Sequence, residues 1–312
     1  MSDLASMFGG APSDRFMGLP GGDLDAPAGE VVIFGADSAT PYASVGPYCA
    51  GGADAIRAGS MTDAGAFDRI NFDTRARVIP DGVAVEDAGN VPFTKDSAEM
   101  RQRIRTATGA VLDAGGVPII LGGDDSVPIP FLQAFKGKAE KPGHVHILQI
   151  DAHIDWRDDF EGEAMGLSST MRRASEMAHV QTIVQIGQRG IGSAGAAELK
   201  AAERYGAVLV PGHDVGRGGV AVALAAIPPK DDVVICLDVD ALDPSIMPAV
   251  IAPTAGGLGH WDVIRLIQGV AAKARIAGFA LVEFKKDADL HGIGARTAAQ
   301  ILASAIGIIA AQ

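Results

Sequence analysis

The sequence predicts an α/β protein built on a mainly parallel sheet with helices on both faces. Three observations carry this. Strand-like segments recur as continuous apolar runs rather than as alternating ones, which is how strands buried on both faces read. Helical segments separate these runs from one end of the chain to the other. Most runs also end abruptly at glycine or aspartate, as they do at Phe34-Gly35, Leu121-Gly122-Gly123-Asp124, Ile150-Asp151 and Leu237-Asp238.

In order, residues 1–29 are rich in Gly, Pro, Asp and Ala without periodicity and read as an irregular arm, with some order against a neighbouring subunit. Residues 30–35 form the first strand. Residues 36–52, carrying Pro41, Tyr42, Pro47 and Tyr48, read as a long loop, and residues 53–57 start a short helix. A small strand at 83–85 turns near Asp87. Residues 96–114 form a helix ended by Gly115-Gly116. The strand 117–121 follows, then a helix over 128–135, the strand 145–150, a helix over 168–177 and the strand 182–187. A helix over 194–205, the strand 207–210, a helix over 220–226 and the strand 233–237 continue the alternation. A helix over 261–275, a strand over 277–284 and a closing helix over 294–311 complete it. No repeat and no linker divides residues 30–312, so one domain is expected.

Bulk properties narrow the function. A net charge of -12 disfavours nucleic acid, whose phosphates call for a basic surface. The chain has no apolar run of the roughly 20 residues that a membrane span needs and no secretory leader pattern. Two widely spaced cysteines, Cys49 and Cys236, read as reduced thiols of a cytoplasmic protein.

The chemistry is expected at the strand ends, because ligands of open α/β sheets bind beyond the carboxyl ends of the strands. Asp151, His153 and Asp155 fall within five residues after one strand, and alternation would send all three to the same side. Asp238, Asp240 and Asp243 follow a second strand, Asp124-Asp125-Ser126 a third, and Glu283 follows Leu281-Val282. A lone Asp in such a place is most often a cap or turn former. Several carboxylates packed together repel strongly unless cations neutralise them, so these clusters point to two divalent ions. Carboxylates with a single imidazole favour Mn²⁺, with Ni²⁺ as the alternative.

The segments Gly122-Gly123-Asp124-x-Ser126, Asp151-Ala152-His153-x-Asp155 and Asp238-x-Asp240-x-x-Asp243-Pro244 resemble the three signatures of the ureohydrolases, the arginase and agmatinase family. The match runs in the family's order from about Val31 to the C-terminus. It implies a three-layer α/β/α arginase-like fold, a binuclear Mn²⁺ centre and hydrolysis of a guanidinium group to urea and an amine. Carried over by position, Asp125, Asp151, Asp155 and Asp238 would hold one metal, and Asp151, His153, Asp238 and Asp240 the other. Asp240 would orient the attacking hydroxide, and Glu283 would face the guanidinium group, a planar cation suited to paired hydrogen bonds. The resemblance also suggests a trimer or hexamer.

The chain departs from the family pattern in four places. Asp125 stands where relatives usually carry His. Met165 stands where a His-Gly pair shuttles a proton to the leaving amine, and methionine carries no proton. Thr254 replaces a frequent Glu, and Lys285-Lys286 replaces a proline-containing stretch. His260 and His291 are the candidate substitutes for the shuttle. The Pro41-Tyr42 loop and Trp156-Arg157 are candidate pocket walls, with Met165 and Thr254 beside the substrate. The expected activity is agmatinase- or guanidinobutyrase-like, or directed at a substituted guanidine or biguanide. The alternative is a catalytically weak or silent metal-binding subunit that partners an active paralogue in a mixed oligomer. A formimino- or acetyl-amide hydrolase on a related fold ranks last.

Overall fold

The computed structural model describes residues 14–137 and 145–312. Residues 1–13 of the expected N-terminal arm lie outside the described residues. From Phe16 onward the arm packs on its own chain. Phe16 and Met17 are buried in the core, and the Phe16 N–H donates to Asp87 Oδ2 at 2.8 Å.

Ten strands form. They are β1 (Val31–Gly35), β2 (Ile70–Asn71), β3 (Ala76–Arg77), β4 (Val85–Asn90), β5 (Val117–Leu121), β6 (Val145–Ile150), β7 (Val180–Ile186), β8 (Val208–Val210), β9 (Asp232–Asp238) and β10 (Arg275–Val282). Eight of them make one sheet in the order β4-β1-β5-β10-β9-β6-β7-β8, and every pairing in it is parallel. β2 and β3 form a separate antiparallel hairpin. The helices are α1 (Gly52–Ser60), α2 (Ser97–Asp113), α3 (Pro128–Gln133), α4 (Thr170–Ala174), α5 (Ala196–Tyr205), α6 (Gly212–Gly218), α7 (Ala221–Ala226), α8 (His260–Ala271) and α9 (Ile293–Ala310).

The apolar runs are continuous because the sheet is covered twice. Ile119 and Leu121 point into the layer made by α1, α7, α8 and α9, while Ile120 between them points into the layer of α2 to α5. This is the three-layer arrangement, and both clusters are dominated by fully buried Val, Ile, Leu and Phe. Each such side chain contributes roughly 1.5–3 kcal/mol on burial. α9 is long and apolar enough to cross a membrane by length and composition, yet more than half of it is buried inside the protein.

The elements differ from expectation where tertiary contacts outweigh local pattern. The strand expected at 83–85 runs instead from Val85 through Asp87 to Asn90. Its polar residues are tolerated because Asp87 pairs with buried Arg57 at 2.8 Å. The helix expected over 261–275 stops at Ala271, because Arg275 already pairs with Asp232 at the start of β10. The helix expected over 168–177 shrinks to a 3-10 turn, Leu167–Ser169, followed by α4. The hairpin β2–β3 and the helix α6 have too little periodicity to be seen in advance.

The strand order sets the site. The last two strands in sequence, β9 and β10, insert at the centre of the sheet between β5 and β6. Leu121 is level with Leu281, Leu281 with Leu237, and Leu237 with Ile150. Four acid-bearing strand ends therefore stop side by side at one height.

Candidate metal centre and its surroundings

β6 ends at Ile150, so Asp151 to Asp155 belong to a loop and not to a strand. The alternation expected from the sequence therefore is not what brings them together; a fold-back of the loop is. It places Asp155 at φ 51, a left-handed conformation uncommon for a residue with a side chain. Asp151 N–H is anchored to Ile186 O at 2.9 Å, and the His153 N–H donates to Asp151 Oδ1 at 2.6 Å.

Two groups of donor atoms converge. Asp151, His153 and Asp240 offer ligand atoms within 4.8 Å of one another, and so do Asp125, Asp151 and Asp238. Asp151 stands in both. The His153 Nδ1 lies 3.1 Å from Asp240 Oδ2 and 3.4 Å from Asp151 Oδ1. Asp238 Oδ1 accepts from the Asp240 N–H at 2.7 Å, and Asp240 Oδ1 accepts from the Ala152 N–H at 3.1 Å. Asp155 lies beside Asp151, and one amide, that of Gln149, donates to Oδ2 of both, at 2.5 Å and 2.7 Å.

Burial and the crowding of carboxylates dominate the electrostatics of the cluster. Burial first, and then neighbouring carboxylates, push Asp125, Asp155 and Asp238 well above the usual carboxylate range. Burial and Asp240 raise Asp151. Burial opposes charge on His153, but hydrogen bonds to Asp151 and Asp240 outweigh it and hold the imidazole up to about 12. Burial also opposes charge on Asp240, yet His153 keeps it below the ordinary value. Asp125 Oδ2 is buried with no hydrogen-bond partner. A buried carboxylate oxygen left unpaired is costly. The donor set therefore fits hard divalent cations, with Asp125 supplying oxygen.

Glu283 sits at φ 66 just beyond β10, 4% exposed, with its N–H on Gly123 O at 2.8 Å. Its Oε1 accepts from the Asp125 N–H at 2.9 Å. The Tyr48 hydroxyl donates to the same carboxylate, lying 2.5 Å from Oε1 and 2.7 Å from Oε2. Burial first, then the charge of Asp124, pushes Glu283 up to about 8, and the bond from Tyr48 restrains the rise. The Cys49 thiol approaches Oε2 at 3.9 Å, and burial pushes it far upward, so it stays protonated. Burial and Asp151 push Cys236 up to about 12. Both cysteines are free.

The remaining expected site residues fare differently. Trp156 is not a pocket wall: it is buried in the core, its indole N–H on Gln185 Oε1 at 2.7 Å and its ring against Tyr205. Tyr42 is buried as well, over Phe160 and so close to Gly166 that no β-carbon would fit there. Met165, next to Gly166, is half-buried, its N–H on Glu163 Oε1 at 2.7 Å. Thr254 is half-buried, and its carbonyl accepts from Arg189 at 2.8 and 3.0 Å. Lys286 is exposed beside Gly51, and Lys285 lies close enough to Cys49 for its charge to oppose the rise of the thiol. His260 is engaged by Asp73 at 2.7 Å, near the hairpin, and His291 is exposed.

Sequence reasoning missed Tyr48, Gln149, Gln185 and Arg189. The Arg189 guanidinium donates to the carbonyls of Asp240, Ala241, Leu242 and Thr254 and so staples the loop that carries Asp240. An Arg within an otherwise neutral Gln188-Arg189-Gly190 turn was the available signal; Tyr48 and the two glutamines had none.

A family model described as the arginase family matches residues 29–307. The chain is 33% identical over 232 residues to an N(1)-aminopropylagmatine ureohydrolase of Thermus thermophilus, covering 73% of this chain and 75% of that one. It is 29% identical over 239 residues to a guanidinobutyrase of Pseudomonas aeruginosa, covering 73% of each. Among solved structures it is similar to the proclavaminate amidino hydrolase of Streptomyces clavuligerus, with a TM-score of 0.83 and 26% identity over 96% of this chain and 98% of that one.

Proposed function

The chain belongs to the arginase family, and on that premise we propose that it is a divalent-metal hydrolase cleaving a C–N bond of a guanidino compound. The products are urea, or a urea-like species, and an amine. The substrate class is that of agmatinases and guanidinobutyrases, or a substituted guanidine or biguanide. The observation that carries this reading is the position of Asp151 in both groups of converging donors, one of which ends in the unpartnered oxygen of Asp125.

We assign Asp125, Asp151, Asp155 and Asp238 to one metal position and Asp151, His153, Asp238 and Asp240 to the other. Mn²⁺ is the first choice for a set of carboxylates with one imidazole, and Ni²⁺ the second. When bound, such a pair neutralises the carboxylates and renders water nucleophilic at neutral pH. Asp240 is held at one oxygen by the Ala152 N–H and at the other by His153, which suits it to orient the attacking water. Glu283, steadied by Tyr48, accepts N–H groups of the guanidinium and holds its carbon toward the cluster. Its burial excludes competing water from that pairing.

The test is a urea-release screen after loading with Mn²⁺ or Ni²⁺, over agmatine, short guanidino acids, substituted guanidines and biguanides. Release from at least one compound is expected, and the Asp151→Ala variant should lose both metal and turnover. A fully loaded chain that releases urea from none of them would sink the assignment. Met165 favours a second reading, a weak or silent subunit in a mixed trimer or hexamer. Robust turnover by the isolated chain excludes that reading, and activity appearing only with a relative that carries the His-Gly pair supports it.

A further inference from the structure

We propose that Trp156, Gln185 and Gln149 form a hydrogen-bonded relay whose role is to position Asp151 and Asp155 for the metal; the inference rests on the metal centre assigned above. An indole N–H can only donate. Its bond at 2.7 Å therefore turns the carbonyl oxygen of Gln185 toward Trp156. The amide nitrogen of Gln185 then faces the other way and donates to Gln149 Oε1 and, at 2.8 Å, to Ile154 O. With its carbonyl engaged, Gln149 must present its NH₂ group to the carboxylates. One hydrogen goes to Asp151 Oδ2 at 2.7 Å and the other to Asp155 Oδ2 at 2.5 Å.

Every N–H of the two amides is used, and all five side chains are buried. Gln149 and Gln185 are direct neighbours across β6 and β7. Trp156 directly follows Asp155, so the loop that leaves β6 docks on the neighbouring strand β7 and closes a ring of contacts. Asp155, which lies within that ring, adopts the left-handed conformation. A single donor-only side chain in the core thus sets which end of Gln149 faces the site. With the amides reversed, an oxygen would face two carboxylates, a repulsive arrangement that would splay them apart. Trp156 and the two glutamines are positioning residues.

The test uses the full chain, stripped of metal and titrated with Mn²⁺ by calorimetry, with the melting temperature of the metal-free form recorded in parallel. Trp156→Phe keeps a ring and removes the donor; Gln149→Met keeps the length and removes the amide. Of the two Mn²⁺ binding events, each is expected to weaken most the one at the position that holds both Asp151 and Asp155, by about 10- to 100-fold, the usual effect of losing a group that orients a ligand, and less the one at the position that shares only Asp151. Tyr205→Phe, which touches the Trp156 ring but lies outside the relay, should leave both events unchanged. Unaltered affinity in both relay variants overturns the relay while leaving the metal centre standing. Equal weakening of both events in step with a lowered melting temperature also overturns it, as plain structural damage. Failure of the unsubstituted chain to bind Mn²⁺ overturns the metal centre and the relay together.

Discussion

Glu283 shows how much one side chain is asked to do. It is a buried carboxylate beside Asp124, close to a cluster of further carboxylates, and it is held by a tyrosine, a backbone amide and a weak thiol contact. Glu283→Gln removes the charge but not the shape. Turnover of a guanidinium substrate should fall about 10- to 100-fold in kcat/KM, the worth of the roughly 1.5–3 kcal/mol in a hydrogen bond to a charged group. The same variant should melt at a higher temperature than the parent when both are metal-free at pH 8, because one source of buried repulsion is gone. Steady-state kinetics and thermal melts separate the two effects. Unchanged kcat/KM would remove Glu283 from the substrate site.

At the scale of elements, the sharp turn after β5 joins the strand end to the site. Gly122 and Gly123 both have positive φ, 77° and 76°, and the Gly123 carbonyl receives the Glu283 N–H. A β-carbon on Gly123 would lie 2.5 Å from Val127 Cγ2 and 3.0 Å from Ala36 O. Gly123→Ala should therefore cost about 1–3 kcal/mol of stability from the forced conformation alone, measured by denaturant unfolding. It should also displace Glu283 and Asp125 together, since both depend on this turn. The start of α2 offers a milder test with no link to the site. Asp96 caps it through bonds of 2.9 and 3.0 Å to the N–H groups of Ala98 and Glu99. Asp96→Ala should cost about 1 kcal/mol and leave metal binding unchanged.

At the scale of the whole molecule, the buried acids make stability depend on pH and on metal. Glu283 is raised from 4.5 to about 8 in the folded chain, and Asp125, Asp155 and Asp238 are raised as well. A folded state that keeps protons which the unfolded state has lost becomes less stable as pH rises. The metal-free protein should therefore lose stability as pH climbs from 4.5 toward 8. Divalent cations bind the ionised form and reverse the trend, so Mn²⁺ should raise the melting temperature more at pH 8 than at pH 5, and a chelator should abolish the difference. A metal-free melting temperature that is flat over this range would contradict the buried repulsion.

The order of apolar runs and helices determined the α/β class, the parallel sheet and the four acid-bearing strand ends, because burial on both faces leaves continuous apolar runs that local sequence records. The three motifs also carried the family. Loop conformation and side-chain partners left no such record. That Asp151 to Asp155 leave the strand, that Trp156 turns inward to Gln185, and that Tyr48 reaches Glu283 across a sequence separation of 235 were decided only by the tertiary structure. They depend on β9 and β10 entering the middle of the sheet and on buried donors finding acceptors. Those choices are made between segments distant in the chain, where no periodicity reaches.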